Sequence, residues 1–241
     1  QKIDHIVAVS EAQATMLRNS GVPQEKVRVI HNGVDLTTFL DTHQPRTPYS
    51  LIFVGALVPH KGLHVLLEAY ATLKPKFPAL TLDVYGSAEL WGEKPYLDPQ
   101  AVADQLPGVT FHGAQDQATI ARALQKASIS VSPSIWFEAL GLASLEAQAC
   151  GAVSVVTPMG GLPETVEHGR TGIVAQDATP TAVAEAIATL LTQPEQLESM
   201  RTIAAKRVQE KFGWARAASA VQALCASNAT ATARVSSSTL P

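Results

Sequence analysis

Short runs of β-branched and aliphatic residues recur along this chain at 6–9, 27–30, 51–54, 80–85, 109–112, 128–131, 154–156 and 172–174. Between them the apolar residues return every third or fourth position, as at Leu63, Leu66, Leu67, Tyr70 and Leu73, or at Ile120, Leu124 and Ala127. Strands therefore alternate with helices, and that alternation builds βαβ units around a parallel sheet. The stretch Leu51-Ile52-Phe53-Val54 is apolar on both faces, so it needs cover on both sides. The predicted fold is α/β, a Rossmann-like doubly wound parallel sheet.

A chain of 241 residues holds one full α/β core with pieces left over, at about 150 residues per domain. Residues 1–45 carry a strand, a predicted helix over 11–20, a second strand and the turn-rich His31-Asn32-Gly33-Val34-Asp35. They read as the end of a preceding domain plus a hinge. Residues 46–212 form the complete domain, and 213–226 a last helix. From 227 to 241 Ser, Thr and Ala dominate without apolar periodicity, which predicts a flexible tail. The opening Gln1-Lys2-Ile3-Asp4 has neither an initiator Met nor a basic-then-apolar leader, so a piece of a longer protein is expected.

Several classes of function are excluded at this point. A net charge of -3 provides no basic stripe to follow nucleic-acid phosphates. No uncharged apolar run approaches the roughly 18 residues a membrane helix needs. Cys150 and Cys225, far apart in sequence, read as two core thiols of a reducing compartment, not a disulfide framework or a thiolate metal site. His60 and His64 are spaced as helix-face ligands, but no third ligand stands near them, and no metal site is expected. Neither a Gly-x-Gly-x-x-Gly after a strand nor a Gly-rich loop ending in Gly-Lys-Ser/Thr is present, which removes dinucleotide and P-loop readings.

In an open parallel sheet, ligands gather beyond the carboxyl ends of the strands. Gly55, Lys61, Gly86, Gly113, Pro133-Ser134 and Gly160-Gly161 fall there. A loop marked by Trp91, Gly92, Pro95 and Tyr96 would sit over a base or an acceptor, or be a plain insertion. The segment Glu138-Ala139-Leu140-Gly141-Leu142 leads into a short helix that Gly151 stops. A helix starting at Gly141-Leu142 aims free N–H groups and a partial positive charge into the loop region, which suits a phosphate. Glu146 lies one turn on and leans back toward the same crevice, where its carboxylate could accept both hydrogen bonds of a vicinal diol such as a ribose. Glu138, flanked by Trp136, Phe137 and Leu140, needs a hydrogen-bond donor.

These residues carry a family resemblance. Pro133-Ser134, Glu138, seven intervening residues, Glu146-Ala147 and Ala149-Cys150-Gly151 resemble the E-x7-E signature of retaining glycosyltransferases of family four. Val9-Ser10-Glu11, Asn32-Gly33-Val34-Asp35, Lys61-Gly62, Phe111-His112-Gly113, Gly160-Gly161-Leu162-Pro163-Glu164 and Phe212-Gly213-Trp214 fall in that family's order, over residues 1 to about 225. The resemblance implies a GT-B architecture of two facing Rossmann-like domains. This chain would supply the second, nucleotide-sugar-binding domain at 46–212. Residues 1–45 would end the acceptor domain, and 213–226 would cross back to it.

Residue by residue, the resemblance makes Glu146 the ribose ligand and Glu138 a contact of the transferred sugar. Amides near Gly141-Leu142 and the Lys61 ammonium would neutralise the diphosphate. The implied donor set is Gly55, Lys61, Gly86, Gly113, Glu138, Leu140, Gly141, Leu142 and Glu146, with Glu138 and Lys61 closest to catalysis. It further implies transfer of a hexosyl group from a nucleotide diphosphate sugar by front-side displacement, with no cofactor and no metal. The acceptor would be a saccharide, a lipid or a small molecule, in polysaccharide or glycolipid biosynthesis. The protein would be cytoplasmic, with room for peripheral membrane association through the absent domain. One departure stands out: Ala56 follows Gly55 where the family commonly has Arg. A lost charge-assisted hydrogen bond is worth about 1.5–3 kcal/mol, so weaker donor binding or slower transfer is expected unless His60 substitutes. A noncatalytic nucleotide-sugar-binding module and a GT-B nucleotide-sugar epimerase stay open as alternatives.

Overall fold

The computed structural model describes residues 3–87 and 96–237, of which 227–237 as backbone alone. Residues 88–95, which hold most of the Trp91 loop, lie outside it.

Eight strands form where the apolar runs predict them: β1 (Ile6–Ala8), β2 (Val27–Val29), β3 (Ser50–Val54), β4 (Thr81–Tyr85), β5 (Val109–Gly113), β6 (Ile129–Ser132), β7 (Val153–Val156) and β8 (Gly172–Val174). The helices are α1 (Glu11–Asn19), α2 (Leu63–Leu73), α3 (Pro99–Gln105), α4 (Gln117–Lys126), α5 (Leu142–Ala149), α6 (Pro180–Leu191), α7 (Pro194–Lys211) and α8 (Trp214–Ser237). β1 and β2 pair parallel on their own, with α1 against them. The other six make one parallel sheet in the order β5-β4-β3-β6-β7-β8.

That order starts in the middle and winds outward both ways. β3 therefore lies beside β6, and the crossovers leave in opposite directions from these two neighbours. Their carboxyl ends form the crevice where such folds bind ligands. The sheet is covered on both faces, as its apolar strands require. α2 and α6 pack on one face through Leu63, Leu66, Tyr70, Val183, Ile187 and Leu190. α4, α5 and α7 pack on the other through Leu124, Leu145, Ala149 and Val208. Burying side chains of this size stabilises by about 1.5–3 kcal/mol each, and the two-sided core fixes where the strand ends point.

Helix boundaries follow local chemistry. The side chains of Ser10, Asp98, Asp116 and Thr179 cap α1, α3, α4 and α6 by accepting N–H groups the first turn cannot use itself. The last helix runs past Ala226 to Ser237, into the stretch read from its composition as a flexible tail. Alanine is the best helix former and recurs there. Cys225 is exposed on α8, which corrects the expectation of two core thiols. Cys150 is buried, and burial pushes its thiol up to about 12.

The link between β2 and β3 is anchored, not slack. The Arg46 guanidinium, buried and therefore held below the usual range, donates to Asp41 Oδ1 (2.7 Å), to the Leu124 carbonyl (2.8 Å) and to the Cys150 carbonyl. Upstream, Val34 N–H donates to the Phe212 carbonyl at 2.6 Å, and Val34 bridges Gly213 as α8 begins. The chain thus crosses between its first segment and its main domain twice, side by side.

Candidate active site

A cleft of about 240 Å³ opens at the junction of β3 and β6. Gly55 and Ala56 line it from the end of β3, and Ser132, Pro133 and Ser134 from the end of β6. Lys61 reaches it from the 3-10 turn Pro59–Lys61, Glu138 from the β6–α5 loop, and Gly141, Leu142 and Ala143 from the start of α5. Gly141 takes the left-handed conformation (φ 103°) and no side chain caps the helix behind it. A residue with a Cβ would be strained there. The first N–H groups of α5 thus face the cleft without an intrahelical partner.

Glu138 has the donors its apolar flank demands. Ser134 Oγ donates to Oε1 at 2.8 Å, and Lys61 Nζ forms an ion pair with the same oxygen. The backbone is clasped as well: Gly161 N–H donates to the Glu138 carbonyl at 2.7 Å. Gly160, at φ 58°, lies so close to the Glu138 backbone that a Cβ would overlap it. Lys61 and Glu138, given separate roles by resemblance, thus stand as one pair. Among the described residues lining the cleft Lys61 is the sole cation. His60 is exposed on the same turn as Lys61 and is not among the residues lining the cleft.

A second cavity of about 370 Å³ shares the wall Val54-Gly55-Ala56 and continues past β4 and β5. Tyr85, Gly86, Ser87, Ala114, Gln115 and Ile120 complete its lining. Tyr85 stacks on His112 with ring centroids 4.3 Å apart, and His112 Nε2 is 2.7 Å from Asp83 Oδ1. Burial, and then Asp83, raise the Tyr85 phenol. Sequence reasoning missed this cavity apart from its glycines, since short pieces of four separate segments build it and no spacing announces them.

The remaining expected site residues fall differently. Gly113 sits at the end of β5, and its carbonyl accepts Gly86 N–H at 2.9 Å, one residue short of the cavity lining. Leu140 turns into the core beneath α5 and is 2% exposed, so only its backbone could serve a ligand. Glu146 lines neither cavity, because the first turn of α5, Leu142 and Ala143, supplies the wall there. Glu146 is half-buried, and burial raises its carboxyl above its ordinary value. Among the described residues it has no hydrogen-bond or ion-pair partner. Behind it a buried polar network holds α5 in place. Ser144 Oγ meets Thr165 Oγ1 at 2.9 Å, Gln148 Nε2 donates to the Thr165 carbonyl at 3.0 Å, and Ser154 Oγ to the Ser144 carbonyl at 3.1 Å. Among the described residues no group of three His, Cys, Asp or Glu side chains is placed to hold a metal ion.

Comparison with known proteins identifies the family. Residues 39–207 match the family described as "Glycosyl transferases group 1", and residues 1–38 match "Glycosyltransferase Family 4". The chain belongs to the glycosyl transferases group 1 family. It is 33% identical over 230 residues to the D-inositol 3-phosphate glycosyltransferase of Pseudarthrobacter chlorophenolicus, covering 88% of this chain and 53% of that protein. It is 31% identical over 198 residues to the glycogen synthase of Mycobacterium tuberculosis, covering 81% and 47%. The chain therefore spans about half the length of the curated relatives it matches. Among solved structures, Anabaena HepE in complex with UDP-glucose superposes with a TM-score of 0.81 at 21% identity, covering 93% of this chain and 64% of that one. Sucrose-phosphate synthase of Thermosynechococcus elongatus superposes with a TM-score of 0.79 at 26% identity, covering 95% and 59%. The six-stranded sheet is the Rossmann-like layer of GT-B glycosyltransferases. Among the described residues no helix is long and apolar enough to cross a membrane.

Proposed function

We propose that this chain is the donor-binding half of a retaining glycosyltransferase of family four that uses a nucleotide diphosphate sugar. The observation that carries the reading is the uncapped start of α5, opening at the β3–β6 junction beside the Lys61–Glu138 pair. Fixed N–H dipoles and one ammonium stabilise the charge that grows on a departing diphosphate, and they do so without a metal. Glu138, steadied by Ser134, faces hydroxyls of the transferred sugar. When the diphosphate arrives, Lys61 divides its three donors between it and Glu138.

The apolar second cavity takes the nucleobase, with Gln115 and Ser87 as its polar edge. A ribose between the two cavities lies beside Gly55, and Glu146, a half-buried carboxylate in need of donors, accepts hydrogen bonds from its hydroxyls once the α5 side chains shift. The relatives are named as a D-inositol 3-phosphate glycosyltransferase and a glycogen synthase, and HepE was crystallised with UDP-glucose, in keeping with a nucleotide-sugar donor. The test is calorimetric titration of UDP, GDP and ADP into this chain and into Glu146→Ala. We expect one nucleotide to bind and the substitution to weaken it by at least about tenfold, the worth of a charge-assisted hydrogen bond. No binding by any nucleotide, or no effect of the substitution, refutes the assignment.

Ala56 favours a second reading, a nucleotide-sugar-binding module without transfer activity, because it leaves the cleft with one lining cation. Under the enzymatic reading Ala56→Arg raises UDP affinity by about ten- to a hundredfold, whereas an unchanged affinity would rule out the missing Arg as the limitation.

A further inference from the structure

Outside the cleft, Glu164 has the most far-reaching partners of any side chain described. It sits on the 3-10 turn Leu162–Thr165, directly after Gly160-Gly161. Its carboxylate accepts Glu11 N–H and Ala12 N–H, each at 2.9 Å, and meets His31 Nε2 at 3.0 Å. All three partners belong to the first segment of the chain, 133 to 153 residues earlier.

Glu11 and Ala12 open α1, and their N–H groups have no partner within the helix. Ser10 Oγ already takes Gln13 N–H at 3.0 Å. Glu164 completes the cap from a different part of the fold, with its charge at the positive end of the helix dipole. Burial by itself would raise this carboxyl, but the Ala12 and Glu11 N–H groups and His31 outweigh it and hold it below the usual range.

The same short segment supports the cleft. Gly161 N–H donates to the Glu138 carbonyl, and a Cβ on Gly161 would overlap both the Ala139 carbonyl and the Ser10 side chain. Arg207 clamps the far end, donating to the carbonyls of Glu164 (2.9 Å) and Thr165 (2.8 Å). Its guanidinium lies 5.0 Å from the centre of the Phe212 ring, against which His31 packs edge-on. Glu138, Gly161, Glu164 and the start of α1 form one continuous chain of contacts.

We propose that Glu164 is a positioning residue that locks the loop after β1 to the backbone of Glu138, so that the donor cleft and the preceding βα unit move together. The loop after β1 is a carboxyl-end loop, where a second Rossmann-like unit presents groups to its own ligand. Glu164 thereby sets the spacing between the donor and whatever that unit holds. This rests on the donor-site reading above.

The experiment is residue-resolved amide hydrogen exchange on this chain and on Glu164→Ala, each with and without saturating UDP. In the native chain UDP slows exchange at Leu142 and Ala143 and also at Glu11 and Ala12. In Glu164→Ala, UDP affinity stays within about threefold and the response at Leu142 and Ala143 survives. Glu11 and Ala12 then exchange about tenfold faster, for want of their acceptor, and no longer respond to UDP. An equal response at Glu11 and Ala12 in both proteins, or none in the native chain while Leu142 responds, overturns the proposal. Silence at Leu142 and Ala143 as well would instead mean that UDP does not bind, which overturns the donor-site reading and this one with it. Should Glu164→Ala fail to fold, Glu164→Gln takes its place: with one acceptor oxygen left and an NH2 group in place of the other, one of the Glu11 and Ala12 N–H groups loses its partner, exchanges faster and no longer responds to UDP.

Discussion

The two cavities share the end of β3 and differ in almost everything else. The one at β6 is walled by an ammonium, a carboxylate, two serines and a helix start; the one at β4 and β5 by Tyr85, Ile120 and Ala114, with no charged residue in its lining. A single strand end thus divides a site for charge from a site for shape, which is what a ligand with an anionic middle and a flat aromatic end requires. Both halves are positioned by the same sheet order, so a change on one side should leave the other intact.

The sharpest way to break this comparison is Lys61→Ala. Losing the cleft's one lining cation should weaken UDP by about ten- to a hundredfold and leave the weak binding of uridine, which has no phosphates, unchanged. Parallel calorimetric titrations would show it, and an equal loss for both ligands would mean that the two cavities are not separate. The converse substitution is Tyr85→Ala in the apolar cavity. Removing an aromatic wall should cost UDP and uridine alike about 1–2 kcal/mol, roughly five- to thirtyfold, while inorganic pyrophosphate competes as before. Selective loss of pyrophosphate competition would reverse the assignment of the two cavities.

The smallest expected effect concerns Glu146, which belongs to neither lining. Burial raises its carboxyl, so the folded protein holds this proton to a higher pH than the unfolded chain does. Stability is therefore highest while the group is neutral in both states, and it falls as pH rises through the interval between the unfolded and folded values. Glu146→Gln removes the penalty. We expect its Tm at pH 7 to rise by about 2–4 °C, corresponding to about 1 kcal/mol at this chain length, and the gain to vanish below about pH 4, where the carboxyl is neutral in either state. A gain that persists at pH 3 would point to packing in place of charge.

Much of the architecture was legible because it is local. Each strand announces itself by its own β-branched run, and α2 and α4 by apolar residues every third or fourth position. The Glu138-to-Gly141 stretch was legible for the same reason, since loop, glycine and helix start are adjacent in sequence. What could not be read are meetings between distant residues. Lys61 and Glu138 are 77 positions apart, and no periodicity predicts that they share an oxygen's reach. Glu164 and its partners are further apart still. That Glu146 lines neither cavity was not readable, because leaning toward the helix N-terminus fixes a direction along the axis and not which face of α5 the cleft exposes.

The paired crossing of Val34 against Phe212 and Gly213 has a mechanical consequence. A single connection between two bodies is a swivel, free to twist and bend alike. Two crossings bonded side by side act as the leaves of a door hinge and leave one easy axis of rotation, the line through both. Phe39 is buried against the main domain and Arg46 fastens residues 41–46 to it, so the first connection is held on the main-domain side from Phe39 onward. Glu164, which bonds His31 where that ring packs on Phe212, fastens the first segment beside that same line.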